Sequence, residues 1–524
     1  MDSRLTRRSP RFDRGRLAWF TWTGLFIFGC CASLVRADDS TTSLSLPKVD
    51  GAAPQNVVII LIDDLRHDAL KCTGHPFMET PNIDRLATNG IKFQNAFVTT
   101  SLCSPSRASI LTGQYMHRHH VIDNNVPAPA GTIYFPQYLQ KAGYQTAFLG
   151  KWHMGGGSDD PKPGFDRWVS FRGQGSYTSP GLGWKLNVDG KPVPQKGYIT
   201  DELTDYAIEW LDKTDPSRPF FLELSHKAVH GPFEPAPRHK GRYKNVDIKL
   251  PTLPTDWRTR DGVPMWVKNQ SNSWHGMEYP YHSNLDIKEY YRNYCETLLA
   301  VDDSVGRVLD WIDKHGQKEK TVIFFMGDNG FFWGEHGLID KRSAYEESMR
   351  VPLLVQASGL TKGGRAESAL VANIDLAPTI LELAGLQPPK TMDGQSVLSL
   401  LKGESLPKGS RDYVLYEYYW EWNFPQTPTQ FALRTDRYKF IEYHGIWDTD
   451  ELFDLSQDPG EQNNLIKSLE HQKIANQMRK RLHKVISETD GQSMPIGTKE
   501  GSGANLRSEK GSKGADFPSS ILKK

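Results

Sequence analysis

The chain has 524 residues, 38% hydrophobic and 24% charged, which allows a large buried core and excludes global disorder. Its 63 basic and 62 acidic residues leave a formal charge of +1, which argues against a general nucleic-acid binder. Five cysteines are too few for a disulfide-built scaffold.

The first 37 residues read as an export signal. Arg4, Arg7, Arg8, Arg11, Arg14 and Arg16 precede an uncharged apolar run over 17–34, and Val35-Arg36-Ala37 resembles a small-residue cleavage site. The expected product is periplasmic or secreted and starts near residue 38; an uncleaved anchor and a lipoprotein are the alternatives. Seven arginines and two aspartates leave with this segment, so the remainder carries a formal charge of −4. Cys72, Cys103 and Cys295 remain. An odd number in an oxidising compartment leaves at least one unpaired, which invites a chemical role.

Residues 38–54 form a polar leader. Val57-Val58-Ile59-Ile60-Leu61-Ile62 is then a short, continuous, β-branched run, the pattern of a strand buried on both faces of a mostly parallel sheet. Similar runs lie at 146–149, 220–224, 321–326 and 351–355, with helical spacing between them, notably over 290–315. Residues 232–285 are rich in Pro, Trp and His and read as a long functional loop. Short strand candidates at 413–416, 431–434 and 438–441 precede a helix over 466–487. The expected organisation is a catalytic domain over 55–409, a C-terminal subdomain over 410–488 and a Gly/Ser/Lys-rich disordered tail over 489–524. The expected class is α/β: a large, mostly parallel sheet flanked by helices, with a smaller antiparallel sheet plus helix.

The chemistry sits at the ends of the buried runs. The first ends in Asp63-Asp64, the second in Gly150-Lys151-Trp152-His153. The third ends in Ser225-His226, with His230 following, and the fourth in Gly327-Asp328-Asn329-Gly330. Ligands in open α/β sheets bind beyond the carboxyl ends of the strands, so these residues should meet in one crevice. Three carboxylates and an amide are hard oxygen ligands, suited to Ca²⁺ or Mg²⁺. The neighbouring lysines and histidines suit an anionic substrate. Singly, each motif is a cap, a turn or a surface group; four at four strand ends are a pattern. In Leu102-Cys103-Ser104-Pro105-Ser106-Arg107, Ser104 suits an N-cap, Pro105 the first helical position and Gly113 the stop. Cys103 then lies just before a helix N-terminus, with Arg107 able to point back at it. A buried cysteine, a disulfide partner and a thiolate nucleophile all remain open on these residues alone.

Cys103-Ser104-Pro105-Ser106-Arg107 matches the Cys-x-Pro-x-Arg signature of the type I sulfatases of the alkaline phosphatase superfamily, and the chain resembles that family over about 55–465. The resemblance takes in Asp63-Asp64, Thr80-Pro81-Asn82-Ile83-Asp84-Arg85-Leu86-Ala87, Gly150-Lys151-Trp152-His153, Gly327-Asp328-Asn329-Gly330 and Lys341 four residues before Tyr345. It implies that Cys103 is oxidised to formylglycine by a maturation enzyme. The hydrated aldehyde then attacks sulfur with one hydroxyl, and the other expels sulfate. It implies Asp63, Asp64, Asp328, Asn329 and residue 103 as ligands of Ca²⁺, with Mg²⁺ as the alternative. Arg107 would hold the hydrate, Lys151 and Lys341 would clamp sulfate, His230 would protonate the leaving oxygen and His153 would assist the second step. His226 matches less well and is left out.

The continuation over 114–125 and Asp340-Lys341-Arg342 with Tyr345-Glu346 resemble N-acetylglucosamine-6-sulfatases. The expected substrate is therefore a sulfated glycan bearing 6-O-sulfate on N-acetylglucosamine. Tyr418, Trp420 and Trp422 can stack on a sugar or pack between the sheets. Another polysaccharide sulfatase, an arylsulfatase, a phosphonate monoester hydrolase and a non-catalytic glycan binder are the alternatives.

Overall fold

A computed structural model of the protein describes residues 44–493, apart from 156, 180–182, 271–272, 274, 278–285 and 361, together with 507–508 and 511–512. The expected export signal, leader residues 38–43 and most of the expected tail lie outside the described residues. The first residues of that tail are held to the body: the Thr489 carbonyl lies 2.7 Å from His117 Nε2, and Gly491 packs on the same ring. No helix among the described residues is long and apolar enough to cross a membrane.

The main sheet has ten strands in the order Arg365–Ala372, Ile91–Phe97, Leu353–Gln356, Thr321–Gly327, Asn56–Ile62, Phe220–His226, Gln145–Gly150, Arg167–Ser170, Lys185–Val188 and Lys191–Pro194. The four strands from Thr321–Gly327 to Gln145–Gly150 are parallel. Their continuous apolar runs have a direct cause. Val57, Ile59 and Leu61 enter one hydrophobic core, and Val58, Ile60 and Ile62 enter the other, across the sheet. The fifth expected run differs: it forms Leu353–Gln356 and runs antiparallel to both neighbours. A parallel return needs a crossover helix. Residues 328–352 carry no helix longer than the four residues Glu346–Met349, because most of that segment builds the site.

The register brings the strand ends together. Ile62 pairs with both His226 and Gly327, and Gly150 pairs with Ser225. Asp63, Lys151 and Asp328 therefore leave the sheet side by side. Gly150 has a φ of +127°, and a Cβ there would lie 1.8 Å from the Ser225 carbonyl oxygen. Gly150→Ala is thus expected to destabilise the fold by about 3 kcal/mol or more in urea unfolding, since strain and a backbone clash add. A loss below about 1 kcal/mol would show that the Lys151 turn tolerates a side chain.

The second sheet is a four-stranded antiparallel meander, Tyr413–Tyr418, Thr429–Thr435, Tyr438–His444 and Glu451–Asp454. The Gln472–Glu488 helix buries Ala475, Met478, Leu482 and Val485, spaced to fall on one helical face. Tyr418 is fully buried and its hydroxyl donates to Glu421 at 2.7 Å, so it packs rather than offering a sugar platform. Trp420 and Trp422 are exposed.

Candidate active site

Cys103 is the first residue of the Cys103–Thr112 helix, with Leu102 as its N-cap. This corrects the expected start. Ser104 does not cap the helix, because its hydroxyl lies 3.0 Å from the His153 carbonyl and 3.1 Å from His153 Nδ1. A free N–H at the buried start of the helix is served instead by Asn124, whose side-chain oxygen accepts from Ser104 N–H at 3.1 Å. Gly113 ends the helix in the left-handed conformation, as expected.

The structure brings together every residue singled out at the strand ends except His226. Cys103 Sγ lies 3.3 Å from Asp63 Oδ1 and 3.3 Å from Lys341 Nζ. Lys151 pairs with Asp63, and Lys341 with Asp64. Arg107 donates through Nε to Asp328 at 2.9 Å and through Nη1 to the Lys151 carbonyl at 2.6 Å and Ser225 Oγ at 2.5 Å. It therefore ties three strand ends to the helix that carries Cys103. Asn329 Nδ2 donates to Asp64 at 2.8 Å, and His230 Nε2 lies 3.8 Å from Asp64. His226 points elsewhere, 3.0 Å from Ser304 Oγ.

Electrostatics follow from burial. Burial pushes the Asp63 carboxyl up, but Lys151, with Arg107 and Lys341, outweighs it and holds it well below the usual range. Burial and the neighbouring carboxylates raise Asp64, and raise Asp328 to about 7. Burial, then Asp63, pushes the Cys103 thiol up, so the encoded side chain is a protonated thiol and a poor nucleophile. Burial and Lys151 push both His153 and His230 well below the ordinary histidine range, which leaves them neutral.

These residues fit a hard divalent cation. Oxygens of Asp63, Asp64 and Asp328 lie within 4.8 Å of one another. Asn329 Oδ1 is buried beside them without a hydrogen-bond partner, as expected of an amide oxygen meant for an ion. A second group, His336, Glu347 and Glu461, is equally close. It already holds a cation: Lys439 Nζ lies 2.8 Å from Glu461.

Several residues at the site carried no sequence signal. Gln174 Nε2 lies 3.1 Å from His153 Nε2, the Tyr177 hydroxyl donates to the His230 carbonyl at 2.7 Å, and Lys227 is buried nearby. They come from irregular chain or sit beside a stronger motif. A cleft opens from Asp64 and His230 toward His275, Tyr290, Phe331 and Asp340. Arg342 closes its side by pairing with Asp340 and with Glu421 at 2.7 Å, beneath the Phe424 ring.

Hard ligands, paired ammonium groups and two neutral imidazoles around one cleft define an enzyme for anionic esters. The sulfatase family matches residues 55–386, and the C-terminal domain of the N-sulphoglucosamine sulphohydrolases matches 334–488. N-acetylglucosamine-6-O-sulfatase of Bacteroides thetaiotaomicron is 33% identical over 511 residues, covering 86% of this chain and 89% of that protein. The human N-acetylglucosamine-6-sulfatase is 32% identical, covering 72% of this chain and 70% of its own length. A solved structure of a protein in complex with its substrate D-glucosamine-2-N,6-O-disulfate superposes with a TM-score of 0.74 at 30% identity, covering 86% of this chain and all of that one. The phosphonate monoester hydrolase of Agrobacterium radiobacter shares the fold, with a TM-score of 0.70 at 21% identity over 88% of this chain and 99% of its own. The chain belongs to the sulfatase family and is a sulfuric ester hydrolase.

Proposed function

We propose that the enzyme is exported and removes 6-O-sulfate from N-acetylglucosamine at the end of a sulfated glycan. The cleft supports this reading above all: it begins at Asp64 and His230 and is lined beyond them by Asp340 and His275, polar groups able to bond sugar hydroxyls. The names of the two relatives and the disulfated glucosamine in the neighbouring structure agree with it.

Asp63, Asp64, Asp328 and Asn329, with residue 103, would hold Ca²⁺. Formylglycine made from Cys103 by a maturation enzyme would supply a hydrated aldehyde as nucleophile, and the ion would neutralise sulfate charge. In the structure the Cys103 sulfur stands for the formylglycine oxygens. Lys151 and Lys341 bracket that position and would hold sulfate oxygens as charge builds on them. Arg107 acts through Asp328 and the Lys151 carbonyl, keeping ligand and lysine in register.

The histidine tautomers follow from their partners. His230 Nδ1 donates to the Gly231 carbonyl at 2.7 Å, so in the neutral ring Nε2, facing Asp64, is bare, and it would take up a proton before passing it to the leaving oxygen. Ser104 has one hydroxyl proton, and its nearest acceptor is the His153 carbonyl. It then accepts from His153 Nδ1–H, which leaves Nε2, held by Gln174 Nε2 at 3.1 Å, as the basic nitrogen of the ring.

Turnover of N-acetylglucosamine 6-sulfate should exceed that of its 3-sulfate isomer and of an aryl phosphonate by at least about 100-fold in kcat/KM. Chelator should abolish it, and Ca²⁺ should restore it. Preference for the phosphonate would overturn the sulfate reading, and full activity in chelator would remove the metal.

A further inference from the structure

Lys227 is 2% exposed, yet no carboxylate among the described residues lies within salt-bridge distance of its ammonium. Burial and Lys151 lower it to about 8. A buried ammonium without a carboxylate partner costs stability, so its position calls for a function. Its two neighbours lead to two consecutive carbonyls, those of His230 and Gly231. Nζ lies 3.5 Å from the Gly231 carbonyl, the same oxygen that accepts from His230 Nδ1. It also lies 4.6 Å from the centre of the Tyr177 ring, and the hydroxyl of that ring holds the His230 carbonyl. The Lys227 carbonyl in turn accepts from His230 N–H at 3.0 Å. Tyr177 is itself fixed, with its carbonyl accepting from Ile199 N–H at 2.8 Å and its ring stacked on Tyr198.

We propose that Lys227, braced on Tyr177, is a positioning residue that, together with the hydroxyl of that ring, fixes the Gly231 and His230 carbonyls and so aims His230 Nε2 at the leaving oxygen. This rests on the reading of His230 as the proton donor. Such a role has a signature that general scaffolding lacks. A sugar alkoxide is a poor leaving group and needs the proton, whereas a nitrophenolate leaves without it. Misaiming the donor therefore slows the sugar ester selectively.

The test uses the mature, Ca²⁺-loaded enzyme and three variants, Lys227→Met, Tyr177→Phe and His230→Ala, each assayed on N-acetylglucosamine 6-sulfate and on 4-nitrophenyl sulfate. Lys227→Met should melt at or above the wild-type temperature, because an unpaired charge is removed. Its kcat/KM on the sugar sulfate should fall about 10- to 100-fold, with less than about a twofold change on the aryl ester. Tyr177→Phe keeps the ring under the ammonium and removes only the hydroxyl bond, so it should show the same selectivity with a smaller loss. Equal losses on both esters, or none on the sugar, in both variants would overturn the proposal. If His230→Ala itself slows both esters equally, the donor assignment falls and the proposal with it. Selectivity in His230→Ala without selectivity in Lys227→Met and Tyr177→Phe removes the positioning role alone.

Discussion

Tryptic digestion of the active enzyme is expected to give a 93–107 peptide about 18 Da lighter than encoded, because residue 103 has lost sulfur and two hydrogens and gained one oxygen. The structure makes the unmodified alternative unattractive. Cys103 has no exposed surface, and burial and the Asp63 carboxylate keep its thiol protonated. A thiolate could form there only against both effects. A thiol ester of sulfate would also need a water to release it, in a site whose walls are side chains already bonded to one another. Since the side chain has no exposed surface in the folded chain, a maturation enzyme would need to reach it before folding is complete. Cys103→Ala should keep the fold, because it removes only a small buried group, and should lower kcat by about 10⁵-fold or more, as expected on losing a nucleophile. A fully active protein whose 93–107 peptide has its encoded mass would refute this reading outright.

The sequence made the strand ends legible because they obey two rules at once. Val57 to Ile62 shows no alternation, since odd and even residues enter different cores, and such a run stops where the chain meets polar ligands. The position of Asp63-Asp64 and Gly327-Asp328-Asn329 therefore announced both strand and site. The direction of Leu353–Gln356 was not legible, since a two-faced apolar strand looks the same in either polarity. Ser104 misled for a local reason. Its residue type fits an N-cap, but a tertiary partner, His153, takes the hydroxyl. Gln174, Tyr177 and Lys227 act through distances set by loops that no periodicity describes. Tyr418 and Trp420 are two residues apart and looked alike, yet the pleat buries the first within the strand, and the second lies beyond its end.

Lys439→Met should cost about 3–5 kcal/mol in urea unfolding, a loss far larger than its distance from the chemistry suggests. Lys439 is wholly buried on the Tyr438–His444 strand. Its ammonium lies 2.8 Å from Glu346 and 2.8 Å from Glu461 and donates to the Ala344 carbonyl at 2.9 Å. It is thus the cation that lets two carboxylates meet between the second sheet and the segment that follows Lys341. Burial pushes Glu346 up, but Lys439 outweighs it and brings that carboxyl to about 2. Burial holds Glu461 at about 7 despite Lys439. Without the ammonium both carboxyls rise, and each must stay protonated to remain inside. A carboxyl with a folded pKa above its unfolded value gives stability that is complete below the unfolded value and lost as pH rises through the folded one. The deficit of Lys439→Met should therefore be larger at pH 8 than at pH 5. A deficit independent of pH would mean that the loss comes from packing of the lysine stem instead. A deficit below about 1 kcal/mol would mean that Arg434, 3.4 Å from Glu346, suffices as the counter-charge.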